Sequence, residues 1–294
     1  METRVLKYFL AIAEEQNITQ AAKKLNITQP TLSRQIREFE ERLHTELFVR
    51  QNKKLYLTEA GLFLKKRAEE ILELNQKTEQ ELFNYQETIL NGQIAIGCVE
   101  AENSYLLTQI IEEMVTDHPQ VSFTIFSGTS NDILEKLDKG LLDVAILIDP
   151  ATTDQYNRLA LPKKEVWGLF VANEHPLADQ SSISPADILT TPLICSSRKE
   201  VLEMFCTWGG FVEKELTIVG RYNLIFNVLL LVENNVAAAA LAIAGAIHHR
   251  ENQIKFIPFS PPLETNCVLV WRKETILAPT VQTFLKKFKH ALQA

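Results

Sequence analysis

The chain has 294 residues, 46% of them hydrophobic and 23% charged, and carries a formal net charge of −7. That balance excludes a disordered chain, a collagen and a disulfide-stapled miniprotein, and at roughly 150 residues per domain it predicts about two domains. The longest apolar run, Val236 to Ile247, is too short to cross a bilayer, and the segment METRVLKYFLAIAEEQ lacks the features of a signal peptide, so a cytoplasmic location without membrane contact is expected.

Val5, Leu6, Phe9, Leu10, Ile12 and Ala13 recur at three- and four-residue spacing and predict a helix over 2–15. Asn17-Ile18-Thr19 interrupts it, and Thr19 is expected to cap a short second helix, Gln20–Leu25. After the connection Asn26-Ile27, Thr28 is expected to cap a third helix. Pro30 fits its first turn, where a backbone donor is spare. Leu32, Ile36, Phe39 and Leu43 give this helix one apolar stripe.

Two short helices joined by a tight turn form a helix-turn-helix, whose second helix places its N-terminal residues against base edges in the major groove. Those residues are Gln29, Pro30, Thr31, Ser33 and Arg34, with Thr28 and Arg37 as further DNA-binding residues. Glutamine pairs with adenine, arginine with guanine, and the Thr31 methyl and Pro30 ring suit a thymine methyl. The segment Leu47 to Leu57 then reads as two apolar strands around a basic tip, a wing whose Arg50, Lys53 and Lys54 would meet phosphate. The charge distribution agrees. Residues 1–60 carry a net +2 and residues 92–294 a net −7, so a polyanion would meet the N-terminal end. The competing reading is a small helical domain with a solvated basic face.

The stretches FLAIAEEQNITQAAKKLNITQPTLSRQIREFEERLHTELFVR (9–50) and LYLTEAGLFL (55–64) resemble the LysR-type transcriptional regulators. The resemblance implies a DNA-binding regulator whose partners are promoter DNA, a second copy of itself and a small-molecule effector, with RNA polymerase a further partner. It implies no resident cofactor.

Thr58 is expected to cap a long helix reaching about Leu90, with Ala60, Phe63 or Leu64, Ala68, Ile71, Leu74, Leu82 and Ile89 as an approximate stripe. A helix this long with one apolar stripe needs a partner. The resemblance makes that partner the same helix of another copy, giving a homodimer and by extension a homotetramer. Packing onto its own C-terminal region is the alternative.

Beyond Asn91-Gly92, strands at Ile94–Cys98, Val121–Ser127 and Asp143–Ile148 alternate with helices at Ser104–Asp117 and Asn131–Lys139, a rhythm that predicts a mainly parallel sheet. A second unit starts at strand Val166–Ala172. It continues through Leu193–Ser196, a helix near Val201–Trp208 and a helix Leu224–Glu233. Val268–Trp271 and a final helix Ala278–Leu292 return to the first unit. The whole resembles a two-lobed α/β effector domain like the periplasmic binding proteins, crossed near Leu161–Glu165 and Glu264–Cys267. The expected fold is therefore a mixed α/β multidomain chain. It has a winged helix-turn-helix over 1–58, a linker helix over 59–90 and an effector domain over 91–294. Lobe I takes about 91–161 and 267–294, and lobe II about 162–266.

Loops that follow strands carry ligands in such sheets. They supply Glu100, Ala101, Glu102, Asn103 and Ser104, then Thr129 and Ser130, then Ser196, Ser197 and Arg198, then Tyr222 and Asn223. Helix N-termini and hydroxyls favour an anion, yet relatives more often carry Ser or Thr where Glu100 and Glu102 stand. A carboxylate facing the cleft would repel an anion and hold an amine, unless both point to solvent. A second departure is Val232-Glu233-Asn234-Asn235-Val236-Ala237-Ala238, where relatives are glycine-rich. There Asn235 is expected at positive φ.

The four cysteines, Cys98, Cys195, Cys206 and Cys267, form no C-x-x-C pair and read as small core residues. A redox pair of Cys195 and Cys206, making the protein a thiol-based sensor, is the alternative. No nucleotide-binding, nucleophile-elbow or zinc-hydrolase motif is present, so no enzyme, catalytic residue or metal is expected. His248 and His249, adjacent on a helix, point about 100° apart, which does not suit one ion.

Overall fold

The computed structural model describes residues 2–51, 54–84, 90–234, 239–246 and 253–293. The chain divides into two compact units, Met1–Phe83 and Asn84–Ala294.

The N-terminal unit opens with α1 (Thr3–Glu15), α2 (Ile18–Lys24) and α3 (Gln29–Leu43). Asn17, not Thr19, caps α2. Its side-chain oxygen accepts from the backbone N–H of Thr19 at 2.9 Å and of Gln20 at 3.2 Å, so the helix starts earlier than expected. Asn26 takes a positive φ of 54° and closes the turn into α3, a conformation asparagine tolerates. Thr28 caps α3 with Pro30 in the first turn. The hairpin β1 (Phe48–Gln51) and β2 (Lys54–Leu57) pairs Phe48 with Leu57. Val5, Leu6, Phe9, Ile12, Leu32, Ile36, Phe39 and Leu47 form one buried core.

Thr58 accepts from the Gly61 N–H at 3.0 Å and starts α4 (Glu59–Asn84). The expected single stripe is two faces. Ala60, Leu64, Ala68 and Leu72 turn into the helix-turn-helix core. Leu62, Phe63, Ile71, Leu74 and Leu82 are exposed, Phe63 to 68%. The period of the pattern cannot distinguish these faces, because both keep three- and four-residue spacing. Ile89 and the helix end expected at Leu90 fall at or beyond the undescribed residues 85–89.

The C-terminal unit is built on one nine-stranded sheet, eight strands in a single path and the ninth pairing off it. Its first lobe holds β3 (Gly92–Cys98), β4 (Val121–Ser127) and β5 (Val144–Ile148), parallel in the order β4-β3-β5. The crossovers are α5 (Ser104–Asp117) and α6 (Ser130–Asp138). The two crossings are not loops. One is the 17-residue strand β6 (Tyr156–Ala172) and the other is β11 (Glu264–Arg272), which runs antiparallel to β6 and to β5.

In the second lobe β6 pairs β9 (Ala239–Ile243) on one side and β10 (Ile254–Pro258) on the other, and β7 (Leu193–Ser196) lies between β9 and β8 (Ile218–Tyr222). Helices α7 (Pro185–Leu189), α8 (Lys199–Gly209), α9 (Phe226–Glu233) and α10 (Pro279–Ala291) complete the unit. Gly209 is the last residue of α8, and Gly210 caps the helix at φ 70°. The first halves of β6 and β11 and all of α7, β8, β9 and β10 were not expected from the sequence. Asn235 and Ala237, and the pair His248-His249, lie outside the described residues. No described helix is long and apolar enough to cross a membrane.

Candidate nucleic-acid interface and ligand cleft

In the N-terminal unit, Thr28, Gln29, Pro30, Thr31, Arg34 and Arg37 are exposed along one side of α3, and Ser33 is half-buried. The buried positions Leu32, Ile36 and Phe39 hold the opposite side in the core, so the polar side must face outward. Arg34 Nε lies 3.7 Å from Glu38 and Arg37 Nε 3.1 Å from Glu41, on side chains 70% and 82% exposed. Exposed pairs one turn apart are worth only a few tenths of a kcal/mol. Either guanidinium can leave its partner at little cost.

Glu40 fixes the hairpin against this helix. One carboxylate oxygen accepts from the backbone N–H of Leu47 at 2.7 Å and of Phe48 at 3.2 Å. Leu55 N–H donates to the Gln16 carbonyl at 3.0 Å and ties the second strand to the end of α1. Arg50 and Lys54 stand exposed on this anchored hairpin. Lys53, the third basic residue expected there, lies outside the described residues. An open groove of about 790 Å³ runs between α3 and the hairpin, with Arg37 and Arg50 on its walls.

In the C-terminal unit a cleft of about 80 Å³ lies between the lobes. The structure brings Glu100, Thr129, Ser130, Ser196, Arg198, Tyr222 and Asn223 together on it. The remaining candidates are elsewhere. Ala101 and Asn103 are buried, and Glu102 and Ser104 turn away from the cleft with them. Ser197 is exposed outside it.

The cause of that split is Glu165, which sequence reading missed. It is fully buried on β6. Its carboxylate accepts from Glu102 N–H at 3.0 Å, from Asn103 N–H at 3.2 Å and from the Asn103 side-chain amide at 2.8 Å. Cys267 donates its thiol to the same group at 3.4 Å. The loop after β3 is thus pinned, and its residues Glu102 and Asn103 belong to the clamp. Glu102 itself pairs with Lys163 at 2.5 Å, and that ion pair raises the Lys163 pKa. No local signal marks Glu165: it stands in a Lys-Lys-Glu run that reads as solvated.

Glu100 does the opposite of Glu102. Its carboxylate accepts from the Ile225 N–H at 3.1 Å, joining the loop after β3 to the start of α9 in the other lobe. Arg198 donates to the Pro150 carbonyl, while its buried Nε has no partner. Burial lowers its pKa. Ser130 is also fully buried with its hydroxyl unpartnered. Tyr222 gives its hydroxyl to the Leu241 carbonyl at 2.5 Å, and burial raises its pKa.

Burial pushes the Cys195 thiol up to about 12 and raises Cys206 as well. Neither environment favours the thiolate that redox sensing needs. Among the described residues no group of three His, Cys, Asp or Glu side chains could hold a metal ion.

Residues 3–62 match the family described as bacterial regulatory helix-turn-helix protein, lysR family, and residues 89–293 match the LysR substrate binding domain. The chain is 29% identical over 232 residues to the uncharacterized HTH-type transcriptional regulator YvbU of Bacillus subtilis, covering 78% of this chain and 77% of that protein. It is 30% identical over 194 residues to the hydrogen peroxide-inducible genes activator of Pectobacterium carotovorum, covering 66% of this chain and 64% of that one. Among solved structures, full-length CbnR complexed with its target DNA has the same fold, with a TM-score of 0.76 at 21% identity over 99% of this chain and 100% of that chain.

Proposed function

The chain belongs to the LysR family of bacterial transcriptional regulators, and from that premise we propose how its parts divide the work. It is a DNA-binding regulator, and the reading side of α3 supplies its sequence selectivity. Gln29, Pro30, Thr31, Ser33 and Arg34 meet base edges, Thr28 caps the helix at its entry, and Arg37, Arg50, Lys53 and Lys54 hold phosphate. The observation that carries this reading is the outward polar side of α3, held in register with a basic hairpin through Glu40.

Two copies pair through the exposed side of α4, where Leu62, Phe63, Ile71, Leu74 and Leu82 stand uncovered. Two recognition helices then favour an operator with two-fold symmetry. A small effector in the cleft lined by Glu100, Ser130 and Arg198 shifts the balance between lobe arrangements and so the activity of the DNA-bound assembly. The protein acts in the cytoplasm and performs no catalysis.

The test is a binding titration against the DNA upstream of its own gene, at two salt concentrations, beside a scrambled duplex of the same length. Selective binding supports the assignment of α3. Equal, strongly salt-dependent binding to both duplexes at both concentrations would refute base reading by these residues.

A further inference from the structure

Among the described residues on the cleft, the only formal charges are Glu100 and Arg198, and they have opposite signs. They form no ion pair with one another, in contrast to Glu102, which is neutralised by Lys163. Glu100 comes from the loop after β3 and Arg198 from the loop after β7, so the two charges enter from different lobes.

The unfinished bonding on this cleft lies on the Arg198 side. One carboxylate oxygen of Glu100 holds the Ile225 N–H. The Arg198 Nε and the Ser130 hydroxyl are buried donors without an acceptor. Leaving a buried donor unmet costs about 1–3 kcal/mol. Ser130 is also the first residue of α6; the Asp132 N–H of that turn already donates to Thr129 Oγ1 at 3.3 Å, which leaves the Ser130 and Asn131 N–H groups to face an anion. The exposed Asp132 carboxylate is engaged by the N-cap residue, accepting from the Thr129 hydroxyl at 2.6 Å and from the Thr129 N–H at 3.2 Å.

A ligand with a single charge would satisfy one side and leave the other uncompensated in a confined space. A dicarboxylate would be repelled by Glu100. A molecule carrying both signs on neighbouring atoms satisfies both. The cleft is small, and Ile148, Trp167, Val201 and Ile243 give it apolar wall for a short side chain only. We propose that this cleft binds a small α-amino acid as its zwitterion, with the carboxylate held by Arg198, Ser130 and the first turn of α6, and the ammonium by Glu100. The proposal rests on reading the cleft as the effector site.

The experiment is thermal stabilisation of the full chain by glycine, alanine, serine, threonine and cysteine. Propionate, ethylamine and succinate serve as counterparts at matched millimolar concentration. At least one amino acid is expected to raise the melting temperature, and none of the counterparts to do so. Glu100→Gln keeps an acceptor for Ile225 and is expected to weaken the responding amino acid by about tenfold or more, the loss of a charge-assisted bond. Glu102→Gln, off the cleft, is expected to leave it unchanged.

Stabilisation by propionate or succinate equal to that by the amino acid would overturn the proposal. So would an unaltered response in Glu100→Gln, or no response to any of the five. DNA titration of the same preparation separates the two ideas. Selective DNA binding without an amino-acid response removes the ligand class alone, whereas an amino-acid response without selective DNA binding removes the base-reading assignment alone.

Discussion

Glu165 and Asn103, 62 positions apart, meet in the interior with the Asn103 amide 2.8 Å from the Glu165 carboxylate. The same amide donates to the Lys163 carbonyl at 2.8 Å, so the asparagine is held twice by β6. This clamp decides which face of the loop after β3 reaches the cleft.

Glu165→Gln turns one carboxylate oxygen into an NH2 group, which must then face either the Glu102 N–H or the two Asn103 donors. We expect the C-terminal unit to lose about 2 kcal/mol or more, since a charge-accepting buried bond is replaced by an unmet donor. Urea unfolding followed by tryptophan fluorescence reads it, because Trp167 lies two residues away. A change under about 0.5 kcal/mol, the size typical of an ordinary surface substitution, would contradict the clamp.

His175 gives a pH dependence of definite sign. Burial lowers its pKa below the ordinary 6.5, and its unprotonated Nδ1 accepts the Leu177 N–H at 3.1 Å. The unfolded chain therefore takes up this proton first as pH falls. The stabilisation is present above pH 6.5 and is lost as pH drops through 6.5 towards the folded value. Melting curves of His175→Gln and the wild type should lie furthest apart near neutrality and converge as the pH falls below 6.5. Parallel curves would refute the assignment.

Arg34 and Lys54 should fail differently on DNA. Arg34→Ala is expected to cost about 1–3 kcal/mol on the operator and much less on a scrambled duplex. Lys54→Ala should weaken both alike and reduce the salt slope by about one. Equal losses on both duplexes for Arg34→Ala would remove its base-reading role.

Peroxide treatment should leave Cys195 and Cys206 unlinked. Burial raises both thiols, Cys195 to about 12, which keeps the nucleophilic thiolate scarce at neutral pH. Intact mass spectrometry after a brief exposure should find no loss of two hydrogens. A quantitative disulfide between them would establish the thiol-sensing alternative.

Much of the fold was legible where local chemistry decides it. The Thr28 cap with Pro30 in the first turn, the pairing of Phe48 with Leu57, and the helix Ser104–Asp117 all follow from short-range rules. The strand Tyr156–Ala172 was legible only in its apolar half. Its first half contains Pro162, Lys163 and Lys164, and becomes strand because β11 pairs with it across more than 100 residues of chain. Ile218–Tyr222 and Ile254–Pro258 are too short to show a period and depend likewise on distant partners. At the cleft, the sequence named both Glu100 and Glu102, but their opposite orientations come from Ile225 and Glu165, which no local pattern connects to them.

Because β6 and β11 run unbroken from one lobe into the other, the joint between the lobes is a two-stranded torsion bar and not a swivel. Its pairing lapses only where the register shifts between Asn266 and Val268, opposite Leu161, Pro162 and Lys163. Elastic strain from turning one lobe against the other concentrates in those few peptides, while the hydrogen-bonded lengths on either side stay stiff.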